Sequence, residues 1–318
     1  MTMNRSATLS ALTAAGVLWG VTVPLIKIAL AGWGPVWLTV VRFALAAVPL
    51  LFVADRARLR RAASPRVVFW GATGYALVIV LQGLGIERTS VAHASLIIGL
   101  TPLLAAIATV ALGRARVGST AWTGFALAFA GIALVATSGG GSASLGGDLL
   151  ILVSVLLSAT FLLAQDRLLV DRDPLAVTAV QFAASALLAA PLAVAVEGAP
   201  ALPSSTAPIV AALALTVLGT LLPYALFAYA QSRVSPGLAG AFLNIEPVVG
   251  FGAGVIAFGD PFGPLQLLGG LTVLAGLALT AAPGPDQPPA PPEPLPVLGD
   301  QAARTRSRRR PMSMSIVP

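Results

Sequence analysis

The amino-acid sequence predicts an all-α integral membrane protein in which ten transmembrane helices form two inverted five-helix repeats. Three observations predict this fold: the composition is strongly apolar, the apolar residues fall into ten long runs, and the second half of the chain resembles the first. Apolar residues make up 57% of the 318 residues and charged residues only 10%, whereas soluble domains carry about 25% charged residues. This composition excludes an ordinary soluble enzyme.

Each apolar run is long enough to cross a bilayer, which requires about 20 mainly apolar residues per helix. The first run follows Arg5, but it is longer than the apolar region of a signal peptide and nine further runs come after it, so we interpret it as an uncleaved helix. The predicted helices span residues 8–30, 35–54, 67–86, 90–112, 119–138, 147–165, 174–197, 207–231, 237–259 and 264–282.

The last part of the chain, residues 283–318, has a different composition. Eight prolines lie between Pro283 and Pro296, and five arginines follow them. Because such a segment has too few apolar residues to form a core, we expect a disordered Pro/Arg-rich tail.

The basic residues predict how the helices are oriented. If the N-terminus is cytoplasmic, sixteen of the nineteen basic residues lie in cytoplasmic segments, and Arg88 is the one basic residue in the outer loops. Cytoplasmic loops of membrane proteins are enriched in Lys and Arg. We therefore expect a multi-pass protein of the cell (plasma) membrane with both termini in the cytoplasm. The net charge of +7 then reflects orientation and not nucleic-acid binding.

The two halves of the chain repeat each other. An offset of 139 aligns Arg42 with Gln181, and an offset of 145 aligns Pro102 with Pro247. Because each unit holds an odd number of helices, the second unit must enter the membrane from the opposite side. Inverted repeats are typical of secondary transporters, whose binding sites lie between the repeats near the bilayer midplane. The predicted repeats are residues 8–138 and 147–282.

Short motifs lie at defined places in the predicted helices: Trp19-Gly20 with Lys27, Arg42-Phe43, Thr89-Ser90-Val91-Ala92 through Thr101-Pro102, and Val234-Ser235-Pro236-Gly237 through Glu246-Pro247-Val248. With these motifs the chain resembles the drug/metabolite transporter superfamily, EamA type, over about residues 8 to 282. The resemblance implies a permease that exports amino acids or related small metabolites by alternating access. Members of the family carry Gly-Glu after the fourth and ninth helices, but this chain has Gly113-Arg114 and Gly259-Asp260 there, so no role is assigned to Arg114.

Ionisable residues inside the predicted helices are the first candidates for a functional site, because a charge is costly in hydrocarbon. Glu246 is predicted about 13 Å deep, where it could couple transport to protons or neutralise a cationic substrate. Arg42 is predicted about 10 Å deep, where it either holds a substrate carboxylate or extends to the outer interface. Lys27 extends to that interface more easily. Asp148 and Asp260 are expected at the outer surface.

Polar and aromatic residues complete the predicted substrate-binding site. Trp19 either stacks on the substrate or packs between helices, and His93 is a lining or capping residue or a proton relay. Pro102 and Pro247 either permit gating movements or produce static kinks. Further hydrogen-bonding groups that line the site or join helices are Tyr75, Tyr224, Gln82 and Asn244.

The rare residue types narrow the chemistry further. The chain has no cysteine and one histidine, which excludes disulfides, thiol catalysis, cysteine metal sites and the two-histidine zinc-protease helix. We expect no cofactor, no metal and no enzymatic activity. The expected partners are a small-molecule substrate, the lipid bilayer and protons as the coupling ion, with the oligomeric state open. The alternatives are a channel or a non-transporting membrane protein, and then a membrane-embedded enzyme.

Overall fold

The computed structural model describes residues 5–113, 118–137, 144–231 and 242–281. All regular structure in these ranges is helical. The predicted tail at 283–318, and the Val234–Gly237 motif, lie outside the described residues.

The helices of the first half begin at Arg5. They are α1 Arg5–Gly20, α2 Thr22–Ala29, α3 Pro35–Val53, α4 Arg56–Ala62, α5 Pro65–Gly71, α6 Val78–Arg88, α7 Val91–Ile98, α8 Thr101–Ala111 and α9 Ser119–Thr137. Those of the second half are α10 Leu145–Leu168, α11 Pro174–Glu197, α12 Thr206–Thr216, α13 Leu222–Gln231, α14 Ile245–Phe258 and α15 Pro264–Ala281.

Within the described ranges, seven helical segments are long and apolar enough to cross a membrane, and each coincides with a predicted span. The other three predicted spans coincide with shorter apolar helices, Trp122–Leu134, Ile245–Phe258 and Pro264–Leu279. The seven long segments are Ser6–Ala29, Pro35–Val53, Pro65–Arg88, Val91–Ala111, Leu145–Gln165, Pro174–Glu197 and Thr206–Phe227.

One short helix, α4, forms where the sequence predicted only a loop. The Asp55 side chain accepts hydrogen bonds from the backbone N–H groups of Ala57 and Arg58, which satisfies donors that a helix start leaves free. Arg60 and Arg61 lie in the last turn, where positive charge is favourable.

Helices of the first half pack mainly against helices of the second half. The most extensive pairings are α1 with α13, α2 with α12, α3 with α11, α6 with α10, α7 with α14, and α9 with α15. If each helix is replaced by its counterpart in the other half, the same set of pairings results. Such symmetry is expected for two related halves. Glycines allow α9 and α15 to pack closely, because a Cβ on Gly131 would lie 2.6 Å from the Gly269 carbonyl oxygen. Small residues at helix interfaces are typical of helix packing in membranes.

The pair α3 and α11 is antiparallel. At one end, Glu197 accepts hydrogen bonds from the backbone N–H groups of Val36 and Trp37 at 2.8 and 2.9 Å. At the other end, Arg58 contacts Asp173 at 2.7 Å. The second long helices of the two halves, α3 and α11, therefore run in opposite directions.

Two π-helical turns interrupt long helices. The first, Ala72–Leu77, separates α5 from α6, and the second, Val217–Leu221, separates α12 from α13. The first residues of the two turns are 145 positions apart in the chain. This is the same offset that aligns Pro102 with Pro247 in the two sequence repeats. A π-helical turn inside an α-helix is rare and is often found at functional sites.

Candidate substrate-binding site

Arg42 joins the two halves of the protein in the interior. It lies on α3 and is 5% exposed. Its Nε donates to the hydroxyl of Thr220 at 2.8 Å, and its Nη2 donates to the Gly219 carbonyl at 3.1 Å. Both partners belong to the second π-helical turn. The side chain is therefore buried inside the bundle and held by the second half of the chain.

The Arg42 guanidinium lacks a negative partner among the described residues. The ion pairs found there are Arg58 with Asp173 and His93 with Asp148. Its Nη1 atom is buried and has no hydrogen-bond partner in the described ranges. Because an unpaired buried charge is costly, the geometry favours an anionic ligand at this atom.

Aromatic rings surround this cation. The Arg42 guanidinium carbon lies 5.4 Å from the centroid of the Phe43 ring, and the ring centroids of Tyr75 and Tyr224 are 6.4 Å apart. The Trp19 ring contacts the Tyr224 ring at 5.4 Å between centroids. Phe43 contacts Tyr75, also at 5.4 Å. The structure thus brings the predicted residues Trp19, Tyr75 and Tyr224 together beside Arg42.

Tyr75 and Tyr224 differ in accessibility. Tyr75 lies in the first π-helical turn and is 6% exposed, whereas Tyr224, on α13, is 39% exposed. The Tyr224 ring also contacts the buried ring of Phe182 at 6.2 Å. Tyr224 can therefore meet a ligand on one side while it packs on the buried rings on the other.

Glu246 lies in the first turn of the helix α14. Its side chain is partly buried. Its backbone carbonyl approaches α1 directly after Trp19, since a Cβ on Gly20 would lie 2.9 Å from that oxygen. Asn244, the residue before α14, is also partly buried.

His93 belongs to a separate polar cluster. Its Nδ1 lies 3.2 Å from one carboxylate oxygen of Asp148, and the other oxygen accepts a hydrogen bond from the hydroxyl of Thr89. No hydrogen bond or ion pair among the described residues joins His93 to the aromatic rings near Arg42. The prediction that Asp148 lies at the surface is wrong, because Asp148 is 9% exposed and its partners come from the α6–α7 region.

Lys27 and Asp260 both form hydrogen bonds with backbone groups where α6 ends and α7 begins. The Lys27 ammonium donates to the carbonyls of Ile86, Glu87 and Thr89, at 2.7, 3.2 and 2.8 Å. Positive charge at a helix C-terminus is stabilising. Asp260 is partly buried and accepts a hydrogen bond from the Ala92 N–H at 2.7 Å.

The two predicted gating prolines lie at helix starts instead of inside continuous helices. Pro102 is the second residue of α8, and Pro247 is the third residue of α14. Proline fits the first helical turn, because the N–H that it lacks has no intrahelical acceptor there. Each proline therefore follows an interruption of its transmembrane segment.

The sequence did not identify Thr220 or Gly219. Thr220 is 0% exposed and lies 145 residues after Tyr75, so the internal repeat could have indicated it. The repeat mate of Arg42, Gln181, exchanges two amide hydrogen bonds with Gln165 at 2.9 and 3.2 Å. Only the first half therefore places a cation at this position.

Comparisons with known proteins agree with this organisation. The model of the EamA-like transporter family matches residues 6–137 and again residues 145–282. The chain is 30% identical to a protein of Streptantibioticus cattleyicolor named "Probable terminal-alkyne amino-acid exporter", over 87% of this chain and 94% of the relative. It is 25% identical to the uncharacterized transporter YdfC of Bacillus subtilis, over 83% of this chain and 87% of YdfC.

A third relative and a solved structure extend the likeness. An uncharacterized transporter of Archaeoglobus fulgidus is 26% identical, over 84% of this chain and 94% of the relative. A protein of known crystal structure matches with a TM-score of 0.61 at 21% identity, covering 86% of this chain and 96% of that protein. At this identity the solved structure supports the fold alone.

Proposed function

Because the chain belongs to the EamA-like transporter family, we propose that this membrane transporter is a secondary active carrier that exports amino acids or related small metabolites by alternating access. The observation that carries the proposal is the buried Arg42 guanidinium, which lies near aromatic rings at a contact between the two halves and whose Nη1 has no hydrogen-bond partner in the described part of the chain. The name of the Streptantibioticus cattleyicolor relative supports amino-acid export. Family membership indicates a transporter and not an enzyme.

The proposed architecture is two inverted repeats of five membrane spans each, residues 8–138 and 147–282. The double match of the family model supports two units, and the antiparallel arrangement of α3 and α11 supports their inversion. The shorter helices α9, α14 and α15 supply the remaining spans. The distribution of basic residues supports cytoplasmic termini in the cell membrane.

At the proposed site, Arg42 binds the carboxylate of the substrate and the aromatic rings of Trp19, Tyr75 and Tyr224 accept its apolar part. A guanidinium can hold a carboxylate with two parallel hydrogen bonds. Glu246 neutralises the substrate ammonium group or carries the coupling proton. His93 and Asn244 line the pathway, and the interruptions before Pro102 and Pro247 permit the gating movement.

Counterflow tests the proposal. Purified full-length protein is reconstituted into liposomes loaded with one unlabelled L-amino acid, and uptake of the tritiated form is measured for the twenty proteinogenic amino acids. Saturable, protein-dependent uptake that requires the internal amino acid supports a carrier. Uptake that rises linearly with concentration and does not need internal substrate would indicate a channel. Absence of counterflow for the whole panel would contradict amino-acid transport.

A further inference from the structure

The second π-helical turn determines which side of the Arg42 guanidinium is available. We infer that Thr220 is a positioning and specificity-determining residue, which holds Arg42 so that its Nη1–Nη2 edge is presented to the substrate carboxylate. This inference rests on the proposed function, in which Arg42 binds that carboxylate. It adds a residue that neither the sequence motifs nor the family resemblance indicated.

The hydrogen bonds of Arg42 occupy one edge of a planar group. A guanidinium has five N–H donors in a fixed fork, and Nε and Nη2 lie on the same edge. Thr220 accepts from Nε and Gly219 accepts from Nη2. The edge that remains consists of Nη1, which has no partner among the described residues, and the second hydrogen of Nη2. This edge is suited to two parallel hydrogen bonds with a carboxylate.

The Thr220 hydroxyl is itself held in place by the π-helical turn. It donates to the carbonyl of Leu215, five residues earlier, at 3.1 Å. One turn before, the Thr216 hydroxyl donates to the carbonyl of Ala212, four residues earlier, at 2.9 Å. Four residues is the α-helical spacing and five is the π-helical spacing. The single hydrogen of Thr220 is therefore committed to Leu215, and its oxygen lone pairs are available to Arg42.

Burial makes this arrangement effective. Thr220 is 0% exposed and Arg42 is 5% exposed, so water does not compete readily for Nε. Without the hydroxyl, Nε has no acceptor from Thr220 and the guanidinium can turn about its terminal side-chain bonds. A carboxylate could then bind to either edge. Binding becomes weaker, and the ring contacts of the substrate no longer have one fixed position.

Three variants separate this role from a general effect on the helix. Thr220→Val keeps the side-chain shape but removes the hydroxyl, and Thr220→Ser keeps the hydroxyl. Thr216→Val is the matched control, because it removes another buried helix hydroxyl, which donates its hydrogen bond to the Ala212 carbonyl and not to a group of Arg42. KM and maximal rate of counterflow are measured with L-phenylalanine, and inhibition is measured with L-phenylalaninamide, which has the ring but no carboxylate.

We expect Thr220→Val to raise KM for L-phenylalanine about 10-fold, as for the loss of one charge-assisted hydrogen bond, with a smaller change in maximal rate. The preference of the Thr220→Val variant for L-phenylalanine over L-phenylalaninamide should fall by a similar factor. Thr220→Ser and Thr216→Val should stay within about 2-fold of the parent. Thermal unfolding in detergent checks that all variants are folded.

Two results would overturn the inference alone while the parent still transports. One is an equal KM in Thr220→Val and Thr216→Val, and the other is an equal loss for acid and amide, which would show a merely structural role. If the parent itself gives no saturable counterflow with any amino acid of the panel, the proposed function fails and this inference fails with it.

Discussion

Gly99 and Pro247 meet where the interrupted segments of the two halves cross. A Cβ on Gly99 would lie 2.7 Å from the Cβ of Pro247. Gly99 lies between α7 and α8, and Pro247 lies in the first turn of α14. Interrupted helices that meet between repeats are a feature of secondary transporters, so in the proposed alternating-access mechanism this contact would change when one half moves against the other.

We predict that Gly99→Ala destabilises the protein by about 1–3 kcal/mol, because the added methyl group collides with a rigid proline ring. The measurement is thermal or denaturant-induced unfolding in detergent. Gly252→Ala on α14 is the control, since a Cβ at that position meets nothing within 4 Å. Equal stability of the two variants would show that the Gly99–Pro247 contact is looser than described.

A second prediction concerns the buried His93–Asp148 pair. A double-mutant cycle with alanine should give a coupling energy of about 1–3 kcal/mol, because each single change leaves a buried polar group without its partner. The Arg58–Asp173 pair is closer, at 2.7 Å against 3.2 Å, but the Arg58 side chain is 63% exposed. Exposed pairs contribute about 0.2–1 kcal/mol. A larger coupling for Arg58–Asp173 would mean that distance outweighs burial here.

The positions of the long helices could be predicted from the sequence, because a helix that crosses a bilayer must be apolar over about 20 consecutive residues. The seven long spans follow directly from the apolar runs. Trp19, Arg42, Tyr75 and Tyr224 were identified because polar or bulky residues inside such runs are unusual. Their proximity, however, depends on how the two halves pack.

The features that the sequence did not predict depend on contacts between residues that are far apart in the chain. Asp148 looked like a surface residue because it lies at a helix start, and the partners that bury it, Thr89 and His93, are 59 and 55 residues away. Thr220 looked like any threonine in an apolar helix, since a π-helical turn has no distinct sequence pattern. Its hydrogen bond with Arg42, which lies 178 residues earlier in the chain, is seen only in the packed structure.

The third prediction is the orientation of the membrane spans. The chain has no native cysteine, so single cysteines can be labelled without background. In intact cells, an impermeant maleimide should label Ala201→Cys, between α11 and α12, and should leave Ala63→Cys, between α4 and α5, unlabelled until the membrane is permeabilised. Both positions are exposed. The opposite labelling pattern would reverse the proposed topology.

The fourth prediction concerns Glu246 and protons. Glu246→Gln keeps the shape of the side chain but cannot release a proton, so it should abolish accumulation driven by a pH gradient and spare substrate exchange. Transport into proteoliposomes is measured with and without an imposed gradient. Glu87→Gln, an exposed glutamate, is the control and should behave like the parent. A gradient response in Glu246→Gln equal to the parent's would place the proton path elsewhere.

The central claim is that the Arg42 guanidinium binds the anionic group of the substrate, and counterflow by Arg42→Lys tests it most directly. The ammonium keeps the charge but cannot form two parallel hydrogen bonds. We predict that Arg42→Lys lowers transport of the parent's preferred amino acid at least about 100-fold, whereas Arg66→Lys, at an exposed arginine, keeps parental activity. Parental KM and rate in Arg42→Lys, at equal amounts of folded protein, would contradict the account.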